Sequence, residues 1–405
     1  MALMDALPLQ SARWRPWQPN PVLLCLAVAM LATLAGLDVV SVAPNRIAAP
    51  TGYSLWGATG IPGAALALLL LGAMTGLAAY PGRYRYPALL TVSGLLLALI
   101  PFAMMLAAFR LIEPGVAQAR LGIGPALWVL LFMLMLCLVE LRLRMQLARG
   151  WLLLMLLPIV GVWWLCAAFW LDRLALVQEF QARHDAFYRA LVEHLALVGI
   201  AVTLSTVLGV AIAMLIRRFA AGRTTAFAIL NFFQTIPSLA LFGLLLAPLA
   251  WLSARFDALA AIGVQGIGWT PALIALVAYS LLPMVRNTHV ALEAVSPAAL
   301  DAARGMGMRP AQRFLLVRLP LALPILLEGL RITTVQAIGL TAVAALIGAG
   351  GLGTLIFQGL GQSAMSMVLL GALPIIVMAF VADTALGTLA ARLRHGDSTR
   401  QGDRA

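Results

Sequence analysis

Ten mostly apolar runs, separated by short polar segments, divide this chain of 405 residues. They lie at 22–43, 61–80, 88–109, 124–141, 151–171, 194–216, 225–250, 271–288, 325–348 and 366–391. About 20 apolar residues in a row is the length an α-helix needs to cross the hydrocarbon core of a bilayer. Backbone polar groups find no water there, so each run must satisfy its own hydrogen bonds as a helix. With 63% hydrophobic and only 10% charged residues, the chain falls far from the roughly one-quarter charged residues of soluble domains. The runs predict an all-α integral membrane protein with about ten transmembrane helices. They exclude an ordinary soluble enzyme, a disordered chain and a disulfide scaffold. The first run exceeds a signal-peptide core and others follow it, so it reads as an uncleaved span.

Charge adds topology. All 27 basic residues are Arg, with no Lys anywhere. A phosphate-binding Walker loop needs a Lys, as does a Schiff-base enzyme. Any ATP, with its magnesium, is therefore expected on another chain; no cofactor and no catalytic centre are expected on this one. Placing both termini in the cytoplasm puts 20 Arg on the inner side and 7 on the outer, the bias expected of bilayer proteins. The net charge of +12 then reports orientation in a lipid bilayer, and no nucleic-acid partner is expected. Cys25, Cys137 and Cys166 lie in apolar runs without metal-ligand spacing. His184, His194, His289 and His395 are expected outside the spans or at their ends, so no metal site is expected.

The stretch 172–193 is the most polar between spans, and Leu176, Phe180, Phe187 and Leu191 recur there on one helical stripe. It predicts an amphipathic linker helix on the periplasmic face. That helix would join an N-terminal region of five spans, 1–171, to a second five-span domain, 194–392, followed by a cytoplasmic tail, 393–405. Ionisable residues within spans are few. Asp38, Glu140 and Glu328 sit near span ends; Asp383 lies deeper and reads best as one side of a helix–helix ion pair. This scarcity speaks against an ion-coupled secondary carrier, and the histidine placement speaks against an intramembrane hydrolase.

The longest inner segment, 293–320, carries the strongest local signals. Ser296 before Pro297 is a helix N-cap with proline at the first helical position. Gly305 and Gly307 should end that short helix. Pro310 can start a second one through Val317, and Leu319-Pro320 should close it. The product is a helix–turn–helix outside the membrane, suited to docking in a groove of a cytoplasmic partner.

These residues resemble a known family. Permeases of ABC importers carry Glu-Ala-Ala, three residues, Gly, nine residues, Ile, one residue, Leu-Pro. Here Asp301-Ala302-Ala303, Gly307, Val317 and Leu319-Pro320 stand in the same register. Asp replaces Glu and Val replaces Ile, and both keep the chemistry. The resemblance extends over about 190–392. Gln234 to Gly243, Tyr279 to Thr288 and Leu346 to Gly353 are similar to the permeases for osmoprotectants such as glycine betaine, carnitine and choline. The five extra N-terminal spans resemble a long-form subtype.

The resemblance implies a five-helix type I importer core in the bacterial inner membrane. It implies a periplasmic substrate-binding protein, a cytoplasmic ATPase dimer docking on 301–320, and a second permease, either another copy or a shorter relative. Another small solute, such as an amino acid or a sulfonate, is the alternative cargo.

Candidate pathway residues follow from chemistry. Proline in Gln234-Thr235-Ile236-Pro237-Ser238 frees a backbone carbonyl beside polar side chains. Thr333, Thr334, Gln336 and Thr341 give the ninth span a polar side. Gly348-Ala-Gly350-Gly-Leu-Gly353 matches a dinucleotide-binding pattern literally, but follows an apolar helix, so a tight outer turn is expected. Trp163, Trp164 and Trp170 read as an interfacial aromatic belt.

Overall fold

The computed structural model of the chain describes residues 19–402 except 47, 81, 114, 117 and 148, with backbone alone at 149–153, 220 and 395–402. Arg13, Arg15 and Arg404, and the side chains of Arg149 and Arg400, which enter the inner-side count, lie outside the described residues, as does the side chain of His395. Two compact units divide the chain, Met1–Gln181 and Ala182–Ala405.

The first unit is built on five long helices, α1 (Pro21–Gly36), α2 (Leu55–Ala79), α3 (Arg85–Leu111), α4 (Pro125–Met145) and α5 (Arg149–Phe169), with a short α6 (Ala175–Ala182) after them. Asn20 starts α1 by accepting the Leu23 amide on its side-chain oxygen, as an N-cap should. Its amide nitrogen reaches Glu140 on α4 at 3.1 Å. Arg144 donates to the same carboxylate at 2.6 Å, so the span-end acid is paired.

A three-stranded antiparallel sheet also belongs to this unit, β1 (Val40–Ala43), β2 (Thr51–Tyr53) and β3 (Arg120–Ile123), in the order β2-β1-β3. The run expected as one span, 22–43, is therefore helix only to Gly36. Val39, Val40 and Val42 are β-branched, and a partner on each side favours strand there.

The stretch 172–193, expected as a single linker helix, is divided. Its first part docks on the sheet. The Leu121 amide donates to the Arg173 carbonyl at 2.8 Å. Glu179, only 2% exposed, receives Arg46 at 2.9 Å and Arg120 at 2.6 Å. A buried carboxylate holds its charge only when paired in this way, and that requirement pins α6 to the first unit. From His184 onward the stretch is the start of the next long helix.

The second unit runs α7 (His184–Arg218), α8 (Arg223–Thr235), α9 (Ser238–Arg255), α10 (Asp257–Ala261), α11 (Trp269–Glu293), α12 (Pro297–Gly305), α13 (Pro310–Arg313), α14 (Leu319–Ala344), α15 (Gly353–Gly361) and α16 (Met365–Gly402). Helix α11 packs on α7 and α14, and α14 packs on α16. Gly209 permits the first of these contacts, because a Cβ there would lie 2.7 Å from Met284. The seventh expected span, 225–250, breaks at Ile236-Pro237 into α8 and α9, since Pro237 has no amide to continue the ladder.

Among the described residues, eight helices are long and apolar enough to cross a membrane, and Pro21–Gly36 and Leu154–Phe169 are shorter apolar helices. The expected ten spans thus appear as eight full-length helices and two short ones.

Candidate coupling and translocation site

The segment 293–320 folds locally for reasons visible in its residues. Ser296 Oγ accepts the Ala299 amide at 3.1 Å and Pro297 opens α12. At the other end the Met308 amide bonds the Ala303 carbonyl and the Gly307 amide bonds the Arg304 carbonyl. This is the paired C-terminal closure that needs a left-handed residue, and Gly307 supplies it with φ of +76°. Gln312 then accepts the Arg309 amide at 2.8 Å as α13 begins.

The expected stop at Leu319-Pro320 is absent. A π-turn, Phe314–Arg318, runs directly into α14, and the Leu319 amide bonds the Phe314 carbonyl five residues back. The wider turn absorbs the amide that Pro320 lacks. The helix is therefore continuous from Pro310 to Ile347.

Leu300 and Phe314 pack on a small core of Ala291, Leu292, Val295 and Ala322, and Ala303 is buried. The hairpin is thus fixed to the foot of α11 and the root of α14. Asp301 and Ala302 face outward. Asp301 pairs with Arg304 at 3.3 Å, both about two-thirds exposed. Val317 and Leu319 are half-buried in the turn, while Pro320 is exposed.

The break at 236–237 is held by a reciprocal clasp. Pro283 inside α11 leaves the carbonyl of Tyr279, four residues earlier, without a helical donor. The Gln234 side chain donates to that carbonyl. In return, the Tyr279 hydroxyl donates to the Ile236 carbonyl at the α8–α9 break. Thr235 bonds the Phe232 carbonyl at 2.7 Å, and Ser238 opens α9. Tyr279 was not singled out from sequence as a site residue, yet Pro283 four positions on was the available signal.

On α14, Thr333 and Thr341 are fully buried, while Thr334 and Gln336 are half-buried. Thr341 and Thr334 satisfy carbonyls of their own helix, whereas the Thr333 hydroxyl is buried without a partner. The Gln234 group and the Thr333 group lie on different helices, and no hydrogen bond joins them among the described residues.

Asp383 on α16 accepts Arg331 of α14 at 2.6 Å, and Glu328 bridges Arg331 and Arg394. The deep carboxylate is thus one side of a helix–helix ion pair.

His194, within α7, is fully buried and contacts the Ile338 carbonyl at 3.1 Å, and His289, within α11, is also buried. Beside His194, Glu193 receives the Gly351 amide at 2.9 Å. Gly348, Gly350 and Gly351 all have left-handed φ, making the turn that leads from α14 towards α15. The dinucleotide reading has no strand beneath it here. Of the tryptophans, Trp163 donates to the Leu97 carbonyl at 2.9 Å, which Pro101 leaves free, and Trp164 and Trp170 are exposed.

Residues 205–395 match the family described as binding-protein-dependent transport system inner membrane component. The match spans the hairpin and both candidate pathway groups. Over 197 residues the chain is 43% identical to the osmoprotectant import permease protein OsmW of Salmonella typhimurium, covering 49% of this chain and 86% of that protein. The chain belongs to this permease family.

Residues 18–177 of the permease match the N-terminal domain of the ABC transporter permease YehY. The permease is also 34% identical over 218 residues to the choline transport system permease protein OpuBB of Bacillus subtilis, covering 54% of this chain and 93% of that one. Among solved structures, an inward-facing MetNI methionine ABC transporter chain is similar at 23% identity and a TM-score of 0.45, over 52% of this chain and 98% of its own. Family membership makes this a multi-pass inner-membrane permease subunit of an ABC importer. ATPase and substrate-binding proteins are its partners, and ATP hydrolysis belongs to the ATPase.

Proposed function

We propose that this permease carries osmoprotectants of the quaternary-amine class, such as glycine betaine, choline or carnitine, into the cell. The observation that supports it is the 43% identity over 197 residues to an osmoprotectant import permease. In this reading both termini are cytoplasmic. A periplasmic protein delivers solute to the outer ends of α7, α11 and α14, and an ATPase dimer binding ATP and magnesium docks on the exposed Asp301 side of the hairpin. Asp301, Ala302, Ala303, Gly307, Val317, Leu319 and Pro320 form the coupling element.

Because that element is packed on α11 and continuous with α14, a closing ATPase pair moves both helices together, a rigid lever between two two-state parts. Gln234, Thr235, Pro237 and Ser238 then act as the bend beside the path, and Thr333, Thr334, Gln336 and Thr341 as its polar wall. A second permease domain, from another copy or a shorter relative, completes the pathway. Residues 1–171 form an accessory membrane domain, 194–392 the transport domain and 393–405 the cytoplasmic tail.

The test is accumulation of radiolabelled glycine betaine by cells holding the permease, its ATPase and its binding protein. Betaine uptake that unlabelled choline or carnitine competes away is expected. No betaine uptake, with methionine or taurine moving instead, would replace this cargo with an amino acid or sulfonate.

A further inference from the structure

The hairpin encloses a second feature that the coupling role does not use. A cavity of about 410 Å³ lies between the end of α7, the hairpin and the root of α14. Its lining includes Arg217, Arg304, Arg313 and Arg318, with Asp301 as the single carboxylate. Asp301 is already engaged by Arg304. No carboxylate lies within 4.0 Å of Arg217, Arg313 or Arg318 among the described residues.

Arg217 and Arg318 converge on one acceptor, the Leu292 carbonyl at the end of α11, at 3.3 and 3.1 Å. Two guanidinium groups drawn to one neutral oxygen repel each other, and among the described residues no carboxylate pairs with either. The Nε of Arg313 is buried with no hydrogen-bond partner at all, an arrangement that costs free energy until an acceptor arrives. Guanidinium forks suit the oxygens of a phosphate.

We propose that this cavity is a binding site for a phosphate-bearing anion. The group comes from one of two sources, an anionic phospholipid headgroup or free phosphate. The placement favours the lipid. Arg217 ends the α7 span and Arg318 immediately precedes the apolar start of α14, so both sit where a span meets water. Leu315 and Leu316, in the same turn as Arg318, are 57% and 65% exposed and offer an apolar surface for acyl chains. Bound there, the phosphate bridges α7 to the hairpin and holds the lever in one register.

The experiment uses the full-length permease in neutral detergent with phosphatidylglycerol, phosphatidylcholine or inorganic phosphate. Bound lipid is read by native mass spectrometry and phosphate by calorimetry. The expected result is retained phosphatidylglycerol, with phosphatidylcholine retained about tenfold less, and loss of that preference in Arg217→Gln/Arg318→Gln. Arg313→Gln should weaken retention as well. Among the described residues the Arg313 side chain makes no hydrogen bond or ion pair, so this variant keeps the test valid if the double variant fails to fold. Phosphate binding lost in the same variants, without lipid preference, supports the site with a soluble ligand. Equal retention of both lipids by wild type and variants, with no phosphate binding, would overturn it. So would variants that fail only to assemble with the ATPase, which would make the cavity a receptor for a protein carboxylate.

Discussion

Gln234 caps the carbonyl of Tyr279 that Pro283 leaves open, and Tyr279 caps the carbonyl of Ile236 at the α8–α9 break. One pair of side chains thus caps a backbone carbonyl at each of two proline-broken sites, about 45 residues apart in sequence. Each unmade bond in an apolar setting costs about 1–3 kcal/mol. Gln234→Ala should therefore lower the thermal midpoint of the purified permease clearly, and Tyr279→Phe should do so by a similar amount. The double variant should lose less than the sum, because the two bonds restrain one joint. Strict additivity in a melting series would show that the clasp is two unrelated contacts.

The proline positions were legible in the sequence, and so was the local logic of Ser296-Pro297 and Gly307, because caps and turns depend on neighbours a few residues away. The clasp itself was not, since nothing in Gln234 points to a carbonyl on another helix. The small sheet was missed for a similar reason. Its strands are three or four residues long and β3 comes from beyond residue 119. Its β1 strand was hidden at the end of an apolar run. The contact of His194 with the Ile338 carbonyl was not legible, because that partner is 144 residues away. The π-turn before Pro320 reversed an expected helix end, because widening one turn removes the need to stop.

Gly307 separates backbone strain from partner contact. Its φ is left-handed, but a Cβ would meet nothing within 4 Å. Gly307→Ala should cost only the left-handed penalty of about 1–2 kcal/mol and leave much of the uptake intact. Gly307→Arg adds bulk and charge on the same exposed turn and should abolish uptake while the protein remains in the membrane. Equal uptake for the two variants in a transport assay would contradict a docking role for this turn.

Arg331 joins α14 to α16 through Asp383 and to its own helix through Glu328. Arg331→Gln strands Asp383, while Glu328 keeps Arg394, and should destabilise by about 1–3 kcal/mol, the range for charge-assisted bonds. Adding Asp383→Asn removes one stranded charge and should recover part of the loss. Thermal unfolding in detergent reads this directly; a double variant weaker than Arg331→Gln would refute the pairing account.

Glu193 and the Gly351 amide fasten the start of α7 to the glycine turn. A Cβ at Gly351 would lie 3.2 Å from the His194 ring, on a backbone with left-handed φ. Gly351→Ala should therefore cost more stability than Gly307→Ala, where space is open. A reversed order in paired melting curves would show that the turn is looser than the contacts imply.

On the proposed function, the exposed Asp301 corner transmits ATP-driven closure to the path. Among the described residues Asp301 forms one surface ion pair, worth at most about 1 kcal/mol, so replacing it costs the fold little. The decisive measurement is betaine uptake alongside ATP hydrolysis, in vesicles reconstituted with the permease, its ATPase and its binding protein. With the wild type, uptake should require both ATP and the binding protein. With Asp301→Arg, the permease should melt normally while uptake collapses and hydrolysis no longer responds to the loaded binding protein. Full uptake by the permease alone under an ion gradient, or unchanged coupled uptake in Asp301→Arg, would contradict the account.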